Sequence, residues 1–413
     1  MPSHFFLFGS PVTRERLSWI DDGLKLFFVN RMPEAFRQAA GGAGPAVSFF
    51  ITGDALYSLH DRETLPLWES ILSLPSVRMV CDREELDLRG ISVEPLRVRF
   101  PGQVQDQNGR QISYPRSFWR EVVQAARKNE PGSASMGYLH LESPYMNRAS
   151  VRAVSCLHAA LEEGLSAELY AYLDGVHAGH INQKPPACTN IGEGLEELDE
   201  IARKRGLSFQ VTGCERSAAA RGYTTWDDGR GVAVSACAVG PMKIRNLSAI
   251  VSRLALPQVI LGESVAAFSM KSEERKGADH WLEAESDPPQ VLILITHSPY
   301  DTEHCFGGIS LALACAHQGI ATRVVFLEDG VYALSGTHAT ESEDIFFNIQ
   351  DIIEAAENTH LQLFAFQPSF YRRGIVKNSR LASVFEIGMK ELGEVLFDPQ
   401  KGVRPRHQRI LFF

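Results

Sequence analysis

The chain has 413 residues, with 41 Lys and Arg against 50 Asp and Glu, a formal net charge of −9. At 44% hydrophobic and 22% charged residues it can fill several buried cores, which excludes a mainly disordered chain. The acidic balance excludes a whole-protein binder of nucleic-acid backbones. No apolar run reaches the roughly 18 residues of a membrane helix, and the length predicts two to four domains of ordinary size.

From the N-terminus, FFLFGSP is an apolar strand that ends in Ser10-Pro11; without a basic flank or a small-residue cleavage site it is no signal peptide, so a soluble cytoplasmic protein is expected. A helix-compatible stretch and the Gly-rich AAGGAGPA follow, then a second strand, VSFFITGDALY, with a corner at Asp54, and a short third strand before Arg89-Gly90. Residues 101–118 form a polar hairpin or loop, and 126–136 a Pro/Gly/Ser connector. The pattern restarts with YLHLESPY (Ser143-Pro144), AELYAYLDGVH (Asp174) and Arg221-Gly222. A charged stretch, 270–289, leads to a third start: VLILITHSPY (Ser298-Pro299), TRVVFLEDGVY (Asp329) and Arg373-Gly374.

Pro144 to Asp174 and Pro299 to Asp329 are both 30 residues, whereas Pro11 to Asp54 is 43, so the first copy carries an insertion. Three anchors in one order, three times over, signal an internal triplication. Continuous apolar strands alternating with helices predict parallel sheets covered on both faces. The expected fold is α/β, three tandem flavodoxin-like three-layer αβα domains. Their boundaries fall at 1–128, 136–262 and 288–413, with a charged linker at 263–287.

The motif strand-Ser-Pro-Tyr, strand-Asp-Gly-Val, then a cysteine seven residues before Arg-Gly resembles the DsrE/DsrF/DsrH and TusB/TusC/TusD sulfur-relay proteins. The second copy is closest to the DsrE/TusD type: Cys214 in FQVTGCERSAAARG stands where that family accepts sulfur. The third copy resembles the DsrF/TusC type, but Phe366 occupies the cysteine position. The first, most diverged, takes the DsrH/TusB place, with Cys81 one step off register. The resemblance implies a covalent fusion of three subunits and a homodimer that rebuilds a six-unit assembly. It also implies a rhodanese or TusA-like sulfur donor, a TusE- or DsrC-like acceptor, and a destination in tRNA thiolation or sulfur oxidation. Neither membrane nor direct nucleic-acid binding is expected.

The chemistry needs a thiolate that attacks a donor persulfide. Cys214 ends a strand and opens a short helix, whose N-terminus favours negative charge by roughly 0.3–1 kcal/mol. Arg216 and Arg221 add attraction, Glu215 opposes it, and Ala218–Ala220 leave room for a docking partner. Cys81 is a weaker, accessory candidate, since Asp82, Glu84 and Glu85 disfavour its thiolate. Cys237 is a second accessory candidate, more readily a buried strand residue. Cys156, Cys305 and Cys315 read as core, and Cys188 lies in a loop with no function attached. The seven cysteines include no C-x-x-C pair, so neither a disulfide framework nor a zinc knuckle is expected. His177 and His180 form an H-x-x-H without further ligands at recognisable spacing. No phosphate-cradling Gly motif is present, and no cofactor is expected. The rival reading is a non-catalytic docking scaffold of the same fold, distinguished by an inert, buried Cys214. A flavin-binding module rests on topology alone and predicts a yellow protein.

Overall fold

The computed structural model describes residues 4–31, 47–74, 77–106, 116–130, 132–186, 188–227, 232–235, 237–256, 258–263, 265–269, 290–300, 302–338, 348–356, 361–397 and 407–413. The Gly-rich insertion of the first copy and most of the charged stretch before the third lie outside these residues.

The triplication is a triplication of structure. In the first unit β1 (His4–Phe8), β2 (Val47–Ile51), β3 (Val77–Cys81) and β4 (Val104–Asp106) are parallel. The second unit has β5 (Ser135–His140), β6 (Ser166–Ala171), β7 (Phe209–Cys214), a small hairpin of β8 (Thr225–Asp227) and β9 (Val232–Val234), then β10 (Met242–Arg245) and β11 (Val259–Leu261). After β12 (Val265–Ser269), the third comprises β13 (Gln290–Ile295), β14 (Thr322–Phe326), β15 (Gln362–Phe366), β16 (Val384–Ile387) and β17 (His407–Phe412). Numbered within each unit and leaving out the β8–β9 hairpin, the strands of the second and third units share the order 4-3-2-1-5. Each is an α/β layer with helices between consecutive strands, as the apolar runs predict.

Val47–Ile51 is buried at every position, and so is Thr322–Phe326. Such strands cannot alternate polar and apolar faces, because helices cover both sides. Phe6 stacks on Phe49 with ring centroids 4.8 Å apart, and Trp68 meets Phe49 edge-on at 5.4 Å. Each such ring removes enough apolar surface to contribute about 2–3 kcal/mol.

The units are not beads on a string. The segment 263–287, read from its charges as a linker, contains β12, which pairs antiparallel with β1 on one side and β17 on the other. The chain thereby joins the first and third sheets into one of ten strands, while the second unit keeps its own five. The composition of the stretch hid this, because its strand, VAAFS, is only five residues long and abuts the charged run. The connector at 126–136 also shrinks, since the helix Arg116–Asn129 runs into it and β5 begins at Ser135.

The hydrophobic clusters are shared in pairs. One joins the first and third units, with Phe8 and Trp19 against Phe412; one joins second and third, with Tyr172 against Phe413; one joins first and second, gathering Phe5, Phe50 and Val80 with Met136, Tyr138 and Leu157. Contacts therefore run in a closed cycle. Buried Arg409 in β17 fastens the second unit as well, donating to the carbonyls of Leu254, Leu256 and Gln258.

Candidate functional site

The three recurring anchors meet at the carboxyl ends of the strands. The Arg of each Arg-Gly pair binds the Asp of the preceding corner: Arg89 to Asp54 at 2.7 Å, Arg221 to Asp174 at 2.6 Å and Arg373 to Asp329 at 2.7 Å. Arg221 and Arg373 also donate to the carbonyls of Ser217 and Ser369, one turn back. The glycines Gly90, Gly222 and Gly374 have φ of 63°, 70° and 63°, a left-handed turn that lets the chain leave the helix. At the Asp-Gly corners, a side chain on Gly175 or Gly330 would collide with the carbonyl of His140 or Ile295. The corners are thus explained by close backbone approach and by one ion pair per unit, without a ligand.

Cys214 ends β7 and is the N-cap of the helix Glu215–Ala220. The residue seven before each Arg-Gly arginine holds that cap position in all three units: Asp82, Cys214 and Phe366. The first unit therefore puts a carboxylate where the second has a thiol, and Cys81 is the buried strand residue just before it. Asp82 accepts a hydrogen bond from Thr52 at 2.8 Å, and burial next to Glu85 and Glu84 pushes its pKa up to about 6.

The thiol is covered. Cys214 is 1% exposed and lies in the cluster of Leu139, Tyr172, Leu173 and Ile250 that packs on the third unit's first helix, His304–His317. The cover is specific: Tyr172 Oη donates to Gly307 O at 2.9 Å, the Arg216 guanidinium sits 4.9 Å from the Phe306 ring centre, and Arg221 reaches Glu303 at 2.7 Å. His304 faces Glu142 at 3.5 Å. Burial opposes the charge of Arg221, yet Glu303 and Asp174 together hold its pKa above the ordinary value. Tyr172 is pushed well above the usual phenol range, first by burial and then by the neighbouring Cys214.

Each strand-2 turn has one residue at the left-handed φ: Gly53 at 53°, Leu173 at 51° and Glu328 at 52°. Two are not glycine, a costly conformation for a side chain of this size. Both are held by packing from the next unit. Within its own unit the Leu173 backbone N–H donates to Ser217 Oγ at 3.1 Å, and its side chain fills the space beside Gly307 of the third unit, where an added methyl would stand 2.8 Å from Leu173 Cδ1. Glu328 is buried and bound by Arg16 at 3.0 Å and Thr13 at 3.1 Å, both from the first unit. The first unit's cap region is likewise covered by the second, where Arg148 binds Glu85 at 2.8 Å and Arg152 reaches the same carboxylate at 3.5 Å. Each unit's first helix thus seals the cap site of the unit before it in the cycle.

Of the sequence-derived candidates, Arg216, Arg221 and Cys214 share this interface. Cys237 stands elsewhere, half-buried, its carbonyl accepting from Ile181 N at 2.8 Å and its thiol near Tyr223. Cys156, Cys305 and Cys315 are buried, and burial pushes the last two up to about 12. His177 hydrogen-bonds Tyr223 and faces Asp174 at 3.6 Å; among the described residues no group of three or more His, Cys, Asp or Glu is placed to hold a metal. Sequence reasoning missed Glu303 and Glu328. The only signal for them was position, next to the helix start and next to the Asp-Gly corner.

With this geometry in place, comparison with known families becomes informative. Residues 290–401 match the DsrE/DsrF-like family. The third unit is therefore a DsrE-like unit, and the second repeats its strand order and its Asp–Arg anchor. At the level of that family, the match points to a role related to sulfur relay. No curated protein matches the chain. Among the described residues no helix is long and apolar enough to cross a membrane.

Proposed function

We propose that the chain is a cytoplasmic sulfur-relay protein, a fusion of three DsrE-like units, that carries sulfane sulfur as a persulfide on Cys214. The observation that supports it is the cap position of Cys214, at the carboxyl end of the third strand in a unit built like the family-matched one. In the first step the Cys214 thiolate attacks the outer sulfur of a donor persulfide. A new Sγ–S bond forms, the donor's S–S bond breaks, and the donor leaves as a thiolate that takes up a proton. An acceptor thiolate then removes the outer sulfur in the same way. Family analogy supplies a TusA-like or rhodanese donor and a TusE- or DsrC-like acceptor, in tRNA thiolation or sulfur oxidation.

The burial of Cys214 favours a second reading, a docking scaffold whose thiol only fills space. The two part on one experiment. Incubated with a persulfide donor, the wild type gains one sulfur in intact mass and Cys214→Ala gains none. Equal gain in both, or none in the wild type even after the cover is loosened by Glu303→Ala, leaves the scaffold. We further propose a homodimer. Tyr371 and Val376, 88% and 80% exposed near the outer edge strand of the third unit, are its natural contact. Sedimentation of a stable monomer at micromolar concentration would contradict it.

A further inference from the structure

A second thiol of the second unit is open where Cys214 is closed. Exposed Cys188 lines a cavity of about 470 Å³ with Tyr145, Tyr223, His177, His180 and Lys184. The cavity lies beyond the carboxyl ends of β5 and β6, where open α/β sheets bind ligands. Its floor is built. Gln183, buried, donates to the carbonyls of His177 and Ala178, while its own carbonyl accepts from Tyr145 Oη and from the backbone N–H groups of Ile191 and Gly192. Those contacts fix the loop that carries Lys184 and Cys188 against the helix Ile191–Lys204.

The lining has a chemical bias. In a chain of net charge −9, no carboxylate is found among the described residues that line this cavity, and its ionisable donors are Lys184 and the two histidines. Asp174, the nearest acid to His177, is engaged by Arg221. The Tyr and Pro walls suit an apolar stem, and the lysine suits a carboxylate.

We propose that this cavity binds small carboxylate-bearing disulfides and exchanges them on Cys188. The Cys188 thiolate attacks one sulfur, an Sγ–S bond forms, and the ligand's S–S bond breaks. The other half leaves as a thiolate and takes up a proton from solvent. The disulfide is the oxidant, so no further reagent is needed. The step is independent of the persulfide reading of Cys214.

The test uses the full chain and oxidised glutathione, read by thiol release and peptide mass, beside the neutral 2-hydroxyethyl disulfide. The expected adduct is on the Cys188 peptide, its rate saturates with glutathione disulfide, and Lys184→Gln raises the half-saturating concentration at least threefold. Cys188→Ser removes the adduct and Cys214→Ala leaves it. The neutral disulfide reacts without saturation and ignores Lys184→Gln. A rate linear in glutathione disulfide and unchanged by Lys184→Gln would reduce Cys188 to a merely exposed thiol and overturn the proposal. So would an adduct on Cys237 in place of Cys188.

Discussion

A thiol at an N-cap has its charge helped by free backbone N–H groups, but the helix after Cys214 has only six residues, so its dipole is small. Whether the thiol works is decided by access. Because Cys214 sits among apolar side chains, Cys214→Ser would place a hydroxyl there at a cost of about 1–3 kcal/mol. Cys214→Ala is the cleaner loss-of-thiol variant, which is why it serves in the loading experiment. The matching residue of the first unit permits a test by pH. Asp82 in the folded chain titrates at about 6 because burial disfavours its charge, against about 4 when unfolded. Between those values the folded state holds the proton and the unfolded state does not, so its contribution falls as pH rises and stays low above pH 6. Asp82→Asn keeps an acceptor for Thr52 and removes the charge. We expect it to exceed wild-type stability at pH 8 by about 1–2 kcal/mol and to match it near pH 4. Urea titrations at both values check this, and a wild type that is the more stable at pH 8 would refute it.

Among elements, the decisive contact is the helix His304–His317 lying over the Cys214 cap. Glu303, half exposed, holds Arg221 of the second unit, and an ion pair in that setting contributes at most about 1 kcal/mol. Removing it therefore changes the open population by a factor of about five and leaves the fold intact. Glu303→Ala is expected to raise the labelling rate of Cys214 by a maleimide several-fold, followed by peptide mass, with the labelling of exposed Cys188 unchanged as the internal control. Identical rates for Cys214 would mean that the helix does not gate the thiol. The left-handed Leu173 and Glu328 belong to this scale too. A strained turn persists only where the next unit's helix packs on it, so neither residue's conformation is a property of its own segment.

For the molecule as a whole, β17 is the keystone. It lies between β13 and β12 in the ten-stranded sheet, Phe413 N donates to Leu294 O at 2.8 Å, and Arg409 ties it to the second unit. Deleting residues 407–413 removes a central strand and leaves two sheet edges unpaired inside the protein. We expect the truncated chain to lose cooperative unfolding of the first and third units together, seen in calorimetry as a transition that is lowered and split in two. An unchanged transition would mean that the units fold separately. The cycle of shared cores argues against that, because each cluster draws its residues from two units.

Much of this was legible in the residues. Repeated Ser-Pro, Asp and Arg-Gly anchors carry local information, since each marks a strand end or a turn with its own backbone demand, and the α/β class follows from apolar runs alternating with helices. The cap position of Cys214 followed from counting seven residues back from Arg221, and the same count lands on Asp82 and Phe366. What the sequence left open is everything that depends on which unit meets which. The strand hidden in the charged stretch, the joining of two sheets, the left-handed Leu173 and Glu328, and the cover over Cys214 are long-range pairings. Their partners lie far apart in the chain, 82 residues for Arg221 and Glu303 and 135 for Tyr172 and Gly307. No periodicity or spacing encodes such a meeting, because burial at an interface depends on the summed fit of two surfaces and not on either segment alone.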